Sequence, residues 1–220
     1  NKVSVKDHFK KINIKLDGIN YKKFDQPNIL IAGCGTGQHA INTSSLFQNS
    51  SVTAFDLSFN SLAYAKRKSL ELKTENINFV QGDLLDIKNL NIKFNIIECV
   101  GVLHHMRDPL EGWKHLVKFL RPKGLLRVGL YSSLARQHIE SIRRDIASTS
   151  TCIDEVYIRS YRKDIIDSPR WDHKLLTTAN DFYSLSALRD LIFHVQEQNF
   201  TIPKIQNALN SLGLTFCGFD

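Results

Sequence analysis

The sequence predicts an α/β protein: a mostly parallel, twisted sheet with helices on both faces and a helical insertion after the fifth strand. Three observations predict it. Short, mostly apolar runs recur at residues 29–32, 52–55 and 94–100, the first of them continuous, segments of helical period separate them, and Gly33, Gly35 and Gly37 follow the first run directly. Continuous apolar runs are the mark of strands buried on both faces. Strands that alternate with helices join into parallel sheets through right-handed crossovers, and such sheets bind ligands at the carboxyl ends of their strands.

The elements follow in order. Residues 1–27 alternate charged and apolar positions weakly and read as a helical lead-in closed by Pro27. Residues 29–32 form the first strand, and a helix is expected over 38–47. The second strand, 52–55, ends in Asp56, and Ser58 is placed to cap a helix that carries Leu62, Ala63, Ala65 and Leu70. Phe79 and Val80 before Gly82-Asp83 give a third strand. Residues 94–100, apolar except for Asn95 and Glu98, give a fourth. Asp108-Pro109 opens a helix with Leu110, Trp113, Leu116, Val117 and Leu120 on one face, which Pro122 and Gly124 stop. A fifth strand is expected over 125–131. The rhythm then breaks into helical patterns, the last opening at Pro203, burying Ile205, Ala208, Leu209 and Leu212, and ending at Gly213. Residues 214–219 read as a sixth strand. The expected organisation is a lead-in over 1–27, a Rossmann-like cofactor-binding core over 28–132, a helical insertion over 133–212 and a final core strand over 213–220.

A chain of 220 residues suits one such domain with an insertion. Its four cysteines, Cys34, Cys99, Cys152 and Cys217, lie far apart without a CxxC pair or histidines at zinc spacing, so reduced thiols and a cytoplasmic setting are expected. No run has the length of a transmembrane helix, the start is too polar for a secretory signal, and no membrane partner is expected. A net charge of +7 raises the possibility of nucleic-acid binding. The lysines, however, are dispersed among Asn and Ile instead of gathering with aromatics into a stacking platform, so nucleic acid is not the favoured partner.

Glycines between a buried strand and a helix let backbone approach a ligand that any Cβ would repel. A nicotinamide loop would place a glycine three positions beyond Gly35, where this chain has Gln38. Asp56, ~20 residues beyond the loop, is positioned to accept both hydroxyls of a ribose.

On four motifs the sequence resembles the class I S-adenosylmethionine-dependent methyltransferases: ILIAGCGTG from Ile29, Asp56 with Leu57, Gly82-Asp83-Leu84, and Val102-Leu103-His104-His105. The resemblance covers residues 28–132. It implies S-adenosylmethionine as cofactor and S-adenosylhomocysteine as product. It further implies that Asp56 holds the ribose and Asp83 the adenine amino group, that Leu57 and Leu84 flank the adenine ring, and that Gly33, Gly35 and Gly37 pass under the methionine portion. The family usually has an acidic residue two positions before the first loop glycine. This chain has Ile31 there, leaving Glu98, Gly101 or backbone carbonyls to compensate, or else a degenerate site.

Methyl transfer from a sulfonium is an in-line displacement, so a general base is required only where the acceptor must lose a proton. His104 and His105, at the mouth of the fourth strand, are the candidate catalytic residues. No Asn-Pro-Pro-Tyr type motif follows that strand, no G-x-S-x-G elbow or H-E-x-x-H helix occurs, and no acidic cluster implies a metal. Asp108-Pro109 with Gly112-Trp113, Leu120-Arg121-Pro122, Gly129-Leu130-Tyr131-Ser132 with Ala135-Arg136, Asp181-Phe182-Tyr183-Ser184 with Arg189-Asp190, and Phe193-His194-Val195 are similar to the methyltransferase modules of bacterial tetratricopeptide-repeat proteins. That likeness implies a repeat domain upstream in a longer chain. The insertion is the expected acceptor-recognition element, with Tyr131, Arg136, His138, Tyr183, Arg189 and His194 as substrate-binding candidates. The expected function is methyl transfer to a small-molecule or peptide acceptor. An RNA methyltransferase and a non-catalytic S-adenosylmethionine-binding module are the alternatives.

Overall fold

A computed structural model describes residues 2–12, 14, 16, 18–89, 92–148, 152–194 and 196–219. Val195 and Asp220, which fell within expected segments, lie outside the described residues. The chain divides into two compact units, one of residues 1–130 with 203–220 and one of residues 131–202.

The first unit is built on five parallel strands, β1 (Asn28–Ala32), β2 (Ser51–Asp56), β3 (Ile77–Gln81), β4 (Phe94–Val100) and β5 (Leu120–Gly129), in the order β3-β2-β1-β4-β5. The order reverses between β1 and β4, so the loops leaving those two strands open a crevice at the switch point. Side chains alternate across the sheet. Leu30 and Ala32 of β1 and Ile97 and Cys99 of β4 enter one apolar cluster with Trp113 and Leu116 of α4 (Pro109–Phe119). Ile29 and Ile31 of β1 and Ile96 of β4 enter the other, with Val5 of α1 (Val5–Lys11), Ala40 of α2 (Gln38–Leu46) and Leu62 of α3 (Phe59–Glu71). Helices thus cover both faces, and the fold is the Rossmann-like α/β architecture expected.

The local chemistry of the sequence sets the helix starts. Ser58 caps α3 by accepting the Ser61 N–H at 3.2 Å, and Asp108 caps α4 by accepting the Leu110 and Glu111 N–H groups at 2.9 and 3.1 Å ahead of Pro109 at the first turn. Asn95, one of two polar breaks in the β4 run, accepts the Asn28 N–H and donates to the Lys23 carbonyl, both at 2.9 Å, and so fastens the lead-in to the sheet.

Three expectations are corrected. The fifth strand starts at Leu120 and ends at Gly129. Its register pairs Phe94 with Leu120 and Ile96 with Leu125, so Pro122 and Gly124 sit in an irregularity of the ladder instead of preceding the strand. Residues 214–219 form no strand. Leu214 packs on the cluster that holds Ala208 and Leu209, while exposed Phe216 and Phe219 stack edge-on against each other with centroids 4.9 Å apart. Apolar alternation predicts a strand only where a neighbouring ladder receives it. α9 (Ile202–Leu212) buries Ala208 and Leu209 in the first unit from Pro203 on, so that unit reclaims residues assigned to the expected 133–212 insertion.

The second unit is helical, with α5 (Gln137–Ala147), α6 (Glu155–Asp167), α7 (Trp171–Leu176) and α8 (Leu185–Ile192) around Ile142, Ile158, Leu176, Phe182 and Leu188. Among the described residues no helix is long and apolar enough to cross a membrane.

Candidate active site

The loop between β1 and α2 holds three glycines at positive φ: Gly33 at 74°, Gly35 at 53° and Gly37 at 88°. They serve different ends. A Cβ on Gly33 would lie 2.1 Å from Val102 Cγ2, and one on Gly37 2.5 Å from Ala65 Cβ, so both permit close packing. A Cβ on Gly35 would meet no atom within 4 Å and would project into open space, as a glycine that clears room for a ligand does. Asp56, at the end of β2, braces this loop: Oδ2 accepts the Gly35 N–H at 2.7 Å and Oδ1 the Ser58 N–H at 2.8 Å.

A cleft of about 400 Å³ opens over the loop, lined by Gly33, Cys34, Gly35, Thr36, Gln38, His39, Val100 and Arg127. Burial, with Asp56 adding to it, pushes the Cys34 thiol up to about 12, so it stays protonated. Beneath the cleft lies a charged row. Ile31, Glu98 and Arg127 are register partners across β1, β4 and β5, and therefore share the face that α2 covers. Ile31 is wholly buried. Glu98, also buried, meets His39 Nε2 of α2 through Oε2, and Arg127 Nη1 lies 3.5 Å from the same oxygen.

The other expected cofactor residues are distributed as follows. Asp83 is exposed and accepts the Leu85 N–H at 2.9 Å, which starts the 3-10 turn Leu84–Asn89. Leu57 is 67% exposed, whereas Leu84 is buried in the core cluster with Phe55 and Leu103. The histidine pair forms the 3-10 turn Leu103–His105 after β4, ring centroids 4.3 Å apart. His104 is buried, with both ring nitrogens enclosed, and only half-buried His105 reaches the surface.

The acceptor candidates all lie in the second unit. Arg136 stacks on the Tyr131 ring at 3.7 Å and grips Glu197 through Nε at 2.9 Å and Nη2 at 2.8 Å. Arg143 reaches the same carboxylate at 3.2 Å and donates to the His194 carbonyl. Glu197, which sequence reasoning missed, is thus the centre around which Tyr131, Arg136 and His194 gather, and Arg136 is committed to internal structure. Burial raises the Tyr131 hydroxyl above its ordinary value, and burial followed by Arg136 lowers the His138 imidazole. Tyr183 is exposed and donates to the Thr177 carbonyl at 3.0 Å, and Arg189 is exposed on α8.

Residues 29–124 match the family model described as a methyltransferase domain. The architecture is shared with PKMT2 from Rickettsia typhi, at a TM-score of 0.71 and 21% identity over 91% of this chain and 40% of that one. A second structure of that protein, in complex with AdoHcy, gives 0.68 and 22% over 84% and 38%. Residues 29–124 are thus similar to a methyltransferase domain, and the chain has the fold of these structures. An uncharacterized protein of Synechococcus sp. is 31% identical over 206 residues, which are 89% of this chain and 49% of that protein. The ubiquinone biosynthesis O-methyltransferase of Rickettsia bellii is 26% identical over 127 residues, 56% of this chain and 50% of that enzyme. The chain thus spans about half the length of these curated relatives.

S-adenosylmethionine is the cofactor of such a methyltransferase domain, and the residues present fit it. The open space above Gly35, the carboxylate of Asp56 and the Glu98–Arg127 pair provide room and charges of both signs at the switch point.

Proposed function

We propose that this chain transfers a methyl group from S-adenosylmethionine to a small-molecule or peptide acceptor. The observation that carries the reading is the Gly35–Asp56 hydrogen bond over an open cleft at the β1/β4 switch point. When bound, the cofactor supplies a methyl group on a sulfonium that is already a strong leaving group. Gly33, Gly35 and Gly37 would hold its methionine portion, Asp56 its ribose, Asp83 its adenine amino group and exposed Leu57 one face of the ring. The protein's share is positioning and exclusion of water. Where the acceptor must lose a proton, His105 is the better base of the pair, because the ring nitrogens of His104 are enclosed.

Among the insertion residues, Tyr183 and Arg189 keep exposed side chains suited to acceptor recognition. The RNA reading is weakened because Arg136 and Arg143 are paired with Glu197, and Arg170 with Asp145 and Asp172, so these three arginines are engaged by carboxylates. The narrower likeness to modules of tetratricopeptide-repeat proteins, and with it an upstream repeat domain, is supported by the motifs at 108–136 and 181–195. Four cysteines without a disulfide among them suit a cytoplasmic setting. The test is to incubate the chain with methyl-labelled S-adenosylmethionine and a bacterial extract separated into small-molecule, protein and RNA pools. Label in either of the first two supports the proposal. Label confined to RNA, or none at all, overturns it.

A further inference from the structure

Glu98 and Asn95 are the polar breaks in an otherwise apolar buried strand, and Asn95 is taken up by hydrogen bonds to the backbone of Asn28 and Lys23. Glu98 is 7% exposed, and a carboxylate at that depth requires compensation. Its two neighbours, His39 and Arg127, both line the cleft over the glycine loop, and their side chains are 30% and 50% exposed. The loop itself is bound by Asp56 and does not use Glu98. The buried anion therefore stands behind a cleft wall that also carries a guanidinium. An anion and a cation side by side are the complement of an α-amino-acid zwitterion, whose ammonium and carboxylate are separated by a single carbon.

We infer that Glu98 anchors the ammonium of the cofactor's methionine end and Arg127 its carboxylate, with His39 orienting Glu98. This inference rests on the cofactor reading above. The acidic residue absent from position 31 is then supplied one strand over. Ile31 and Glu98 are register partners on one face of the sheet, so a carboxylate moves from β1 to β4 without changing its level along the strands. Ile31 is fully buried among Ile29, Val52, Ala54 and Leu62, and its apolar side chain fills the space that the customary acid would take.

The test is calorimetric titration of the chain and of Glu98→Gln, Arg127→Gln and Asp56→Ala with two ligands: S-adenosylhomocysteine, and methylthioadenosine, which lacks the amino-acid end. Glu98→Gln keeps the shape of the side chain, and retained methylthioadenosine binding reports an intact fold. The inference predicts that Glu98→Gln and Arg127→Gln each weaken S-adenosylhomocysteine by tenfold or more and change methylthioadenosine by less than twofold. Asp56→Ala, by contrast, weakens both. Equal affinity of Glu98→Gln and wild type for S-adenosylhomocysteine would overturn the inference and leave the cofactor reading standing. Parallel loss of both ligands in Glu98→Gln would assign Glu98 to the loop's structure and also overturn it. Failure of the unsubstituted chain to bind either ligand would reject the cofactor reading itself.

Discussion

At the residue scale, the glycine loop separates into two kinds of position that the sequence shows identically. Gly33 has a packing role, since a Cβ there would lie 2.1 Å from Val102 Cγ2 at a φ of 74°. Gly33→Ala is expected to cost about 2 kcal/mol, from left-handed backbone strain and the displaced valine, and to lower the denaturation midpoint. Gly35→Ala meets nothing and carries only the backbone strain, about 1 kcal/mol, yet its methyl group would enter the cleft. Denaturant melts and S-adenosylhomocysteine titrations on both variants should therefore invert in rank: Gly33→Ala the less stable, Gly35→Ala losing more affinity per unit of lost stability. Equal losses of both quantities in the two variants would contradict the division of roles. The positions of Asp56, Leu57 and Asp83 at or just beyond strand ends were legible because motif order along the chain predicts where strands stop. The burial of His104 and Leu84 was not legible because a side chain's direction out of a turn is set by packing that the sequence does not display.

At the element scale, the helices of the second unit are tied by buried charge. The Glu197 side chain is 2% exposed and is shared by Arg136 and Arg143 of α5 and its cap. Removing one partner of a buried ion pair strands the other charge, so Glu197→Ala is expected to destabilise by about 3 kcal/mol in denaturant unfolding. A change below 1 kcal/mol would place those arginines in solvent. α7 depends on Asp172. Burial opposes ionisation of this carboxyl, but hydrogen bonds from Arg170, Ser141 and the His173 N–H outweigh it and hold it at about 2, below the ordinary 3.8. A carboxyl lowered on folding stabilises fully above its unfolded value and loses that contribution as pH falls through the folded one. Stability should therefore decline by about 2 kcal/mol or less between pH 4 and pH 2, less because Arg170 is half exposed. Asp172→Asn should remove that part of the slope in an acid titration of melting temperature.

The elements that sequence reading placed well, β1, β2, β4, α3 and α4, carry their own signals: mostly apolar runs, Ser58 and Asp108 caps, Pro109 at the first turn. Those misplaced depend on distant partners. Whether residues 214–219 pair is decided by the sheet edge, and whether Pro122 and Gly124 interrupt a strand is decided by how β4 aligns beside them. Glu197 stayed hidden because its partner Arg136 is 61 residues away.

At the scale of the whole molecule, the order β3-β2-β1-β4-β5 gathers the residues of the candidate site at one place. The reversal between β1 and β4 brings the glycine loop, Asp56 and Glu98 within one crevice although they are spread over residues 33–98, and the helices on both faces exist to bury the strands that hold them. The net charge of +7 does not by itself direct the protein to phosphates, because the lysines that contribute to it are dispersed along the chain. The central claim is that this crevice binds S-adenosylmethionine through the Asp56-braced loop. Calorimetric titration of the chain and of Asp56→Ala with S-adenosylmethionine tests it most directly. The account predicts saturable one-site binding to the chain and a loss of tenfold or more in Asp56→Ala. Unchanged affinity in Asp56→Ala, or no binding to the chain, would contradict it.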